Sequence, residues 1–256
     1  SPHTVLQIVN DDMPFLVDSV TMALAEQGIG VHVLGHPVVS IARDRAGRLT
    51  GVGEGETESV MHLEIDRQTP EDNARIEALV RGVLEDVRII VADWPRMRER
   101  MLEMADTLAS RNIPVADASR AEAQEFLRWA ADDHFTFFGV REYKVRRKGD
   151  DARLEAVADS GLGLLRTPGT VKSRPISELG ADALRREGLI DPLILTKTSA
   201  RSTVHRPGYM DYIGILSYDA DGNVTGEGRF LGLYTSSAYT RRPWDIPLVR
   251  ERFEHV

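Results

Sequence analysis

At 256 residues, 42% of them hydrophobic and 28% charged, the chain has the composition of a globular protein with one large or two ordinary domains. It contains no Cys, which excludes disulfides and thiolate metal sites, and no apolar run near the roughly 20 residues that a membrane-spanning helix needs. The formal net charge of −8 is unevenly spread: residues 1–130 carry 13 Arg, no Lys and 22 acids, and residues 131–256 carry 19 basic and 18 acidic side chains, so neither half has the basic excess expected of a nucleic-acid-binding face.

The opening residues lack the basic segment and long apolar run of a secretory signal. They enter a strand almost at once, as a segment cut from a longer chain would, and the expected compartment is the cytoplasm. Residues 4–10 alternate loosely, with Val5, Ile8 and Val9 as the apolar members, and read as a strand. Asp11, Asp12 and Pro14 then open a helix. Acids suit its positive end, and Pro is tolerated where its missing N–H costs nothing. Leu16, Val20, Ala23 and Leu24 give the helix one apolar face, and Gly28 stops it.

A second strand is expected over residues 31–43, a turn at "DRAGR", a glycine and acid loop, and a third strand over 60–66. In that strand Met61, Leu63 and Ile65 share one face and His62, Glu64 and Asp66 the other. From Pro70 the period becomes helical. Leu79, Val83, Val87, Ile90, Trp94, Met97, Met101, Met104 and Leu108 hold to one face, with a kink or break expected at Pro95. "DVRIIVAD" has strand-like composition, but the unbroken spacing through it favours helix. Ser119 and Glu122 form a capping-box pattern ahead of Phe126, Leu127 and Ala130. A β-rich unit follows: a hairpin turning at "RRKGDDA", a short helix capped by Ser177 and stopped by Gly188, three strands, two of them joined through "ADGN", and the start of a last helix near Trp244. The fold class is α+β, with antiparallel sheets covered by helices.

Most chemical motifs fail on inspection. Gly161-x-Gly163 follows a strand, but Arg166 stands where the third glycine of a dinucleotide fingerprint belongs, and Pro168 and Gly169 forbid the helix that would hold a pyrophosphate. His32 and His36 lie in a strand, where four residues separate them by roughly 13 Å. Asp132 to His134 could supply two metal ligands or simply end a helix, and no nucleophile elbow is present. Two places remain. Lys197, Arg201, His205, Arg206 and Tyr209 gather basic and aromatic groups around an Arg-Pro-Gly turn, either as an anion or subunit contact or as a solvated, internally paired loop. Asn10, Asp11, Asp12, Met13, Pro14 and Phe15 form the strand-to-helix turn. There Asp11 or Asp12 is expected to cap the helix, and the remaining N–H groups could hold an amino-acid carboxylate.

Strand, acid-x-Pro-x-Leu-Val, helix, two strands and a helix resemble the ACT domain, a ferredoxin-like module that binds amino acids. Asp12, Pro14, Leu16 and Val17 fall on its Asp-x-Pro-Gly-Leu-Leu pattern, and Phe15 stands where that family has Gly. Further blocks, "DWPRMRERM", "LLRTPG", "LTKTSARSTVHRPGYMDYIGI" and "RFLGLYTSSAY", make nearly the whole chain similar to the N-terminal region of the large bacterial NAD-specific glutamate dehydrogenases. That resemblance implies an ACT-like domain at 1–93, a helical connector at 94–131 and a second α+β, ACT-like domain at 132–256. It also implies a non-catalytic role in assembly and in allosteric control by amino acids. The expected partners are the rest of the parent chain and other subunits of a homo-oligomer. No cofactor is expected in this segment; NAD would bind the parent's separate catalytic domain. A pure oligomerisation scaffold, a free-standing amino-acid-binding module and an enzyme in its own right are the alternatives.

Overall fold

In the computed structural model, residues 2–110, 113, 115–148, 151–167 and 192–250 are described. The chain divides into two compact units, Ser1–Val91 with Ser202–Pro207, and Ala92–Arg201 with Gly208–Val256. The residues expected to form a connector therefore belong to the second unit, and a six-residue loop from late in the chain belongs to the first.

The first unit begins with β1 (His3–Asp11) and α1 (Leu16–Glu26). Helix α1 ends as Gly28 predicts. Gly28 takes φ 71° and donates to the Ala25 carbonyl, while Ile29 donates to that of Leu24. This is the paired closing bond of a Schellman motif, with Leu24 and Ile29 both buried. The expected single strand over 31–43 is split at His36 and Pro37 into β2 (Val31–Gly35) and β3 (Val38–Arg43). Proline cannot donate to a ladder, so the strand breaks there. A hairpin joins β3 to β4 (Leu49–Val52), and β5 (Glu56–Asp66) follows. The Asp44 carboxylate accepts from the N–H groups of Ala46 and Arg48 across that hairpin, and Gly47 supplies φ 77°. The sheet is antiparallel with β5 central: β1 pairs with one edge of β5, and β2 and β3 share the other. Met61, Leu63 and Ile65 are fully buried, as their alternation requires.

Helix α2 (Pro70–Ser110) is one unbroken element through "DVRIIVAD" and through Pro95. Pro95 lies on the exposed side, where water can take the carbonyl bond that its missing N–H forgoes. The apolar stripe starts one turn earlier than its sequence spacing suggested. Ile76, Val80, Val83, Val87 and Ile90 are buried in the first unit and Met97, Met101 and Leu108 in the second, while Leu79 is half-buried.

In the second unit, α3 (Asp117–Trp129) runs into a π turn at Ala130–His134. The capping box does not form. Ala116 is the N-cap, Ser119 lies inside the helix, and Glu122 instead accepts from the Leu248 N–H and the Arg250 guanidinium. The sheet comprises β6 (Phe135–Lys148), β7 (Asp151–Ala156), the two-residue β8 (Leu162–Gly163), β9 (Leu193–Arg201), β10 (Tyr209–Tyr218) and β11 (Val224–Tyr234), in the order β7-β6-β11-β10-β9 with β8 also on β6. Its first strand is interior, whereas in the first unit the first strand is an edge. Phe137, Val140, Ile213 and Phe230 pack with Met97 and Met101 from α2 and Phe126 and Leu127 from α3. A short helix α4 (Ser236–Thr240) and a 3-10 turn (Pro243–Asp245) follow. The helix expected between Ser177 and Gly188 lies outside the described residues, as does the end of the helix expected after Trp244.

Candidate effector site at the first strand-to-helix turn

The turn between β1 and α1 differs from expectation in its capping. Helix α1 starts at Leu16, its N-cap is Phe15, and no side chain caps it. Asp11 is still in β1. Asp12 turns the other way: its N–H donates to the Thr57 carbonyl, and its carboxylate accepts from the Ser59 hydroxyl, which also meets His36 Nε2 at 2.5 Å. Met13, Pro14 and Phe15 lie between these acids and the first helical residue, and neither acid caps the helix. The acid in the first helical turn is Asp18. Asn10 is buried, donates to the Asp11 carbonyl and accepts from Arg88 of α2 at 2.8 Å.

Phe15 takes φ 72°, a left-handed conformation that costs an L-residue with a side chain roughly 1–2 kcal/mol and that Gly adopts freely. The backbone thus has a geometry that glycine adopts freely, and the phenyl ring occupies space that a glycine would leave open. That ring lies 4.9 Å from the ring of His205, which itself takes φ 73°. Ser19 links the two strained residues. Its buried hydroxyl donates to the Phe15 carbonyl at 2.6 Å and accepts from the His205 N–H at 3.0 Å. Asp18 lies 3.8 Å from His205 Nδ1. Burial lowers the imidazole's pKa, with Asp18 pulling it back up and Arg206 pushing it down.

The loop around His205 is internally braced. The Ser202 hydroxyl donates to the Val204 carbonyl and accepts from its N–H, and Val204 is fully buried. Thr203 donates to Asp86 of α2 at 2.8 Å. Desolvation raises the Asp86 pKa, and the Thr203 bond opposes it. The folded chain therefore holds that proton more tightly than the unfolded chain does. This contribution favours folding below the unfolded carboxyl's range and is lost as the pH climbs through the folded value. Asp86→Asn keeps an acceptor for Thr203 and is expected to flatten the fall in stability as pH rises above the ordinary carboxylate range, read by urea denaturation at several pH values; an unchanged slope would show that Asp86 titrates alike in both states.

The two groups of candidate residues are thus partly united. His205 and Arg206 join the Asn10–Phe15 turn within the first unit. Lys197, Arg201 and Tyr209 belong to the second unit. There Lys197 pairs with buried Asp211 at 2.5 Å, and Arg201 lies over the Tyr209 ring at 5.8 Å. The five candidates are thus divided between the two units. Sequence reading missed Ser19, Asp18, Asp86 and Thr203. Ser19 had a signal, a polar residue within the apolar face of Leu16, Val20 and Ala23.

The Gly161-x-Gly163 stretch is a bracing loop. Gly163 takes φ 57° and donates to buried Asp93, whose carboxylate also holds Arg166. Buried Arg141 donates to the carbonyls of Leu165 and Arg166. Of the histidines, His32 meets Asp66 at 2.7 Å, and His134 Nδ1 meets the Trp129 carbonyl at 2.9 Å.

The first unit runs β1, α1, the strands β2 to β5 and then α2, with an acid-x-Pro turn leading into its first helix, an α+β arrangement of the ACT type. Residues 1–82 match the family model of the glutamate dehydrogenase ACT1 domain. The whole chain is 36% identical over 266 aligned residues to NAD-specific glutamate dehydrogenases of Halomonas elongata and Pseudomonas aeruginosa, and 96% of it is 28% identical to that of Mycobacterium tuberculosis. It spans about 16% of the length of the first two. The chain is thus similar to the N-terminal regions of the large NAD-specific glutamate dehydrogenases.

Proposed function

We propose that this chain is the regulatory and assembly region of an NAD-dependent glutamate dehydrogenase. The parent converts glutamate and NAD to 2-oxoglutarate, ammonia and NADH in the cytoplasm, and its catalytic groups and NAD lie in a separate domain. This region holds no cofactor and performs no chemistry. It biases the arrangement of a homo-oligomer, and an amino-acid effector acts through differential affinity for two arrangements of the first turn.

The observation that carries this reading is the latch at that turn. A loop from residues 202–207 is tied to Phe15 and Ser19 by one hydroxyl and one ring contact, with two residues held at positive φ. Strained, over-determined backbone is a feature of switch regions and ligand clamps. An effector carboxylate meeting the N-terminus of α1 would have to displace the phenyl and imidazole rings, so latch closure and effector binding compete. The same packing favours one rival, a scaffold that binds no small molecule because Phe15 fills the site.

Calorimetric titration of the whole chain with a panel of amino acids separates the two. At least one amino acid is expected to give saturable heat, and Phe15→Gly, which needs no left-handed penalty and removes the ring, is expected to tighten it about tenfold or more (about 1.4 kcal/mol). Silence from both proteins across the panel would establish the scaffold instead.

A further inference from the structure

The first unit carries an open sheet edge whose sequence is complementary to itself. Among the described residues, the far side of β1 has no partner strand. Natural edge strands are blunted by brevity, Pro, Lys or bulges. The opposite edge of this sheet, β4, is only 4 residues long. Strand β1 runs 9 residues, "HTVLQIVND", with no Pro and no Lys, and pairs in unbroken register with β5. Its outward-facing Val5 and Val9 are 50% and 57% exposed. Beside it runs a cleft of about 490 Å³, walled by Thr4 through Val9 on one side and by Ile76, Glu77, Val80, Arg81 and Leu84 of α2 on the other. An edge that is long, β-branched and flanked by an apolar wall has the form of a strand-addition site.

We propose that β1 pairs antiparallel with β1 of a second copy about a two-fold axis at Gln7. This rests on the assembly role argued above and specifies its surface. The sequence carries the argument, because it reads nearly alike in both directions from Gln7. That register sets Val5 opposite Val9 of the second copy on the open face, and Leu6 opposite Ile8 on the helix-covered face. Thr4 meets Asn10, and His3 meets Asp11, unlike in charge whenever the imidazole is protonated. β-branched and opposite-charge cross-strand pairs are the ones that stabilise a ladder, and an isologous interface must be complementary to itself. Shifting the register by two residues would set Val5 against Gln7 or Asp11 instead. The wall of α2 fits the same symmetry. Glu77 and Arg81, ion-paired at 2.7 Å within one copy, run in opposite order across the axis, so unlike charges face each other.

The chain has no Cys, so one introduced thiol is a unique reporter. Paired residues across antiparallel strands have Cα atoms about 4.5–5.5 Å apart, within disulfide range. The whole chain carrying Gln7→Cys, treated with diamide, is expected to form a linked dimer. Val5→Cys alone should stay unlinked, because its own copy's equivalent lies roughly 13 Å along the ladder. An equimolar mixture of Val5→Cys and Val9→Cys should link. Val5→Lys with Val9→Lys, on the exposed face, is expected to halve the mass seen by light scattering while far-UV circular dichroism stays unchanged. A wild-type dimer in which Gln7→Cys does not link would overturn this edge and leave assembly through another surface. Equal linking of Gln7→Cys and Val5→Cys would mean random collision and also overturn it. A wild-type chain that stays monomeric up to high concentration would sink both the edge and the assembly reading.

Discussion

Replacing Glu227 by Ala is expected to cost about 3–5 kcal/mol of stability, the range for breaking a buried charged pair, and to lower the melting temperature by roughly 10 °C. Glu227 is 1% exposed on β11, accepts from Tyr212, and meets the Arg229 guanidinium at 2.9 Å. Arg229 also lies over the Tyr143 ring at 4.1 Å. Gly214 belongs to the same arrangement, since a Cβ there would stand 2.5 Å from the Glu227 carboxylate. Truncating Glu227 removes the carboxylate that this buried guanidinium meets, and the Tyr143 ring contact, worth about 2 kcal/mol when desolvated, does not replace it. Glu227→Gln supplies the complementary readout. Desolvation raises the Glu227 pKa against the pull of Arg229. The folded chain therefore binds that proton more tightly, and stability falls as pH rises from the unfolded carboxyl's range through the folded value. Glu227→Gln is expected to remove that fall in a series of urea denaturations; identical pH slopes for the two proteins would refute it.

Asp93→Ala is expected to cost about 2–3 kcal/mol, most of it at one N–H group. Asp93 is buried in α2 and accepts from the Gly163 N–H at 2.8 Å and from Arg166 at 2.7 Å. Arg166 is about half exposed and can turn to water, so its loss is small. The Gly163 N–H is held at positive φ in the buried strand β8 and has no such exit. Asp93→Asn keeps an acceptor there, so it is expected to recover more than half of the loss in a denaturant titration. Equal cost for Ala and Asn would instead place the energy in the ion pair.

How much of this was legible in the sequence varies with the range of the interaction. The alternation of Met61, Leu63 and Ile65 gave the buried face of β5, because a strand's period is local. The spacing from Val83 to Leu108 likewise carried the helix through a strand-like stretch and past Pro95. Gly28 marked its helix end because only a residue tolerant of positive φ closes that motif cheaply. The capping assignments at Asp11, Asp12 and Ser119 all matched a local pattern. Asp11 stays in β1, and distant groups, Thr57 and Ser59 for Asp12 and Leu248 and Arg250 for Glu122, hold the other acids elsewhere.

The site followed the same division. Sequence alone determined that residues 10–15 form a special turn, that Phe15 stands where the ACT pattern has glycine, and that the chain resembles the NAD-specific glutamate dehydrogenases, since these rest on residue identity and order. Only the tertiary structure decided that His205 lies against Phe15 through Ser19, that Lys197 pairs with Asp211 in the second unit, and that β1 has no second partner strand among the described residues. Those facts depend on which of many polar partners meet across nearly 190 residues of chain. Periodicity constrains which face is buried and leaves open what it is buried against.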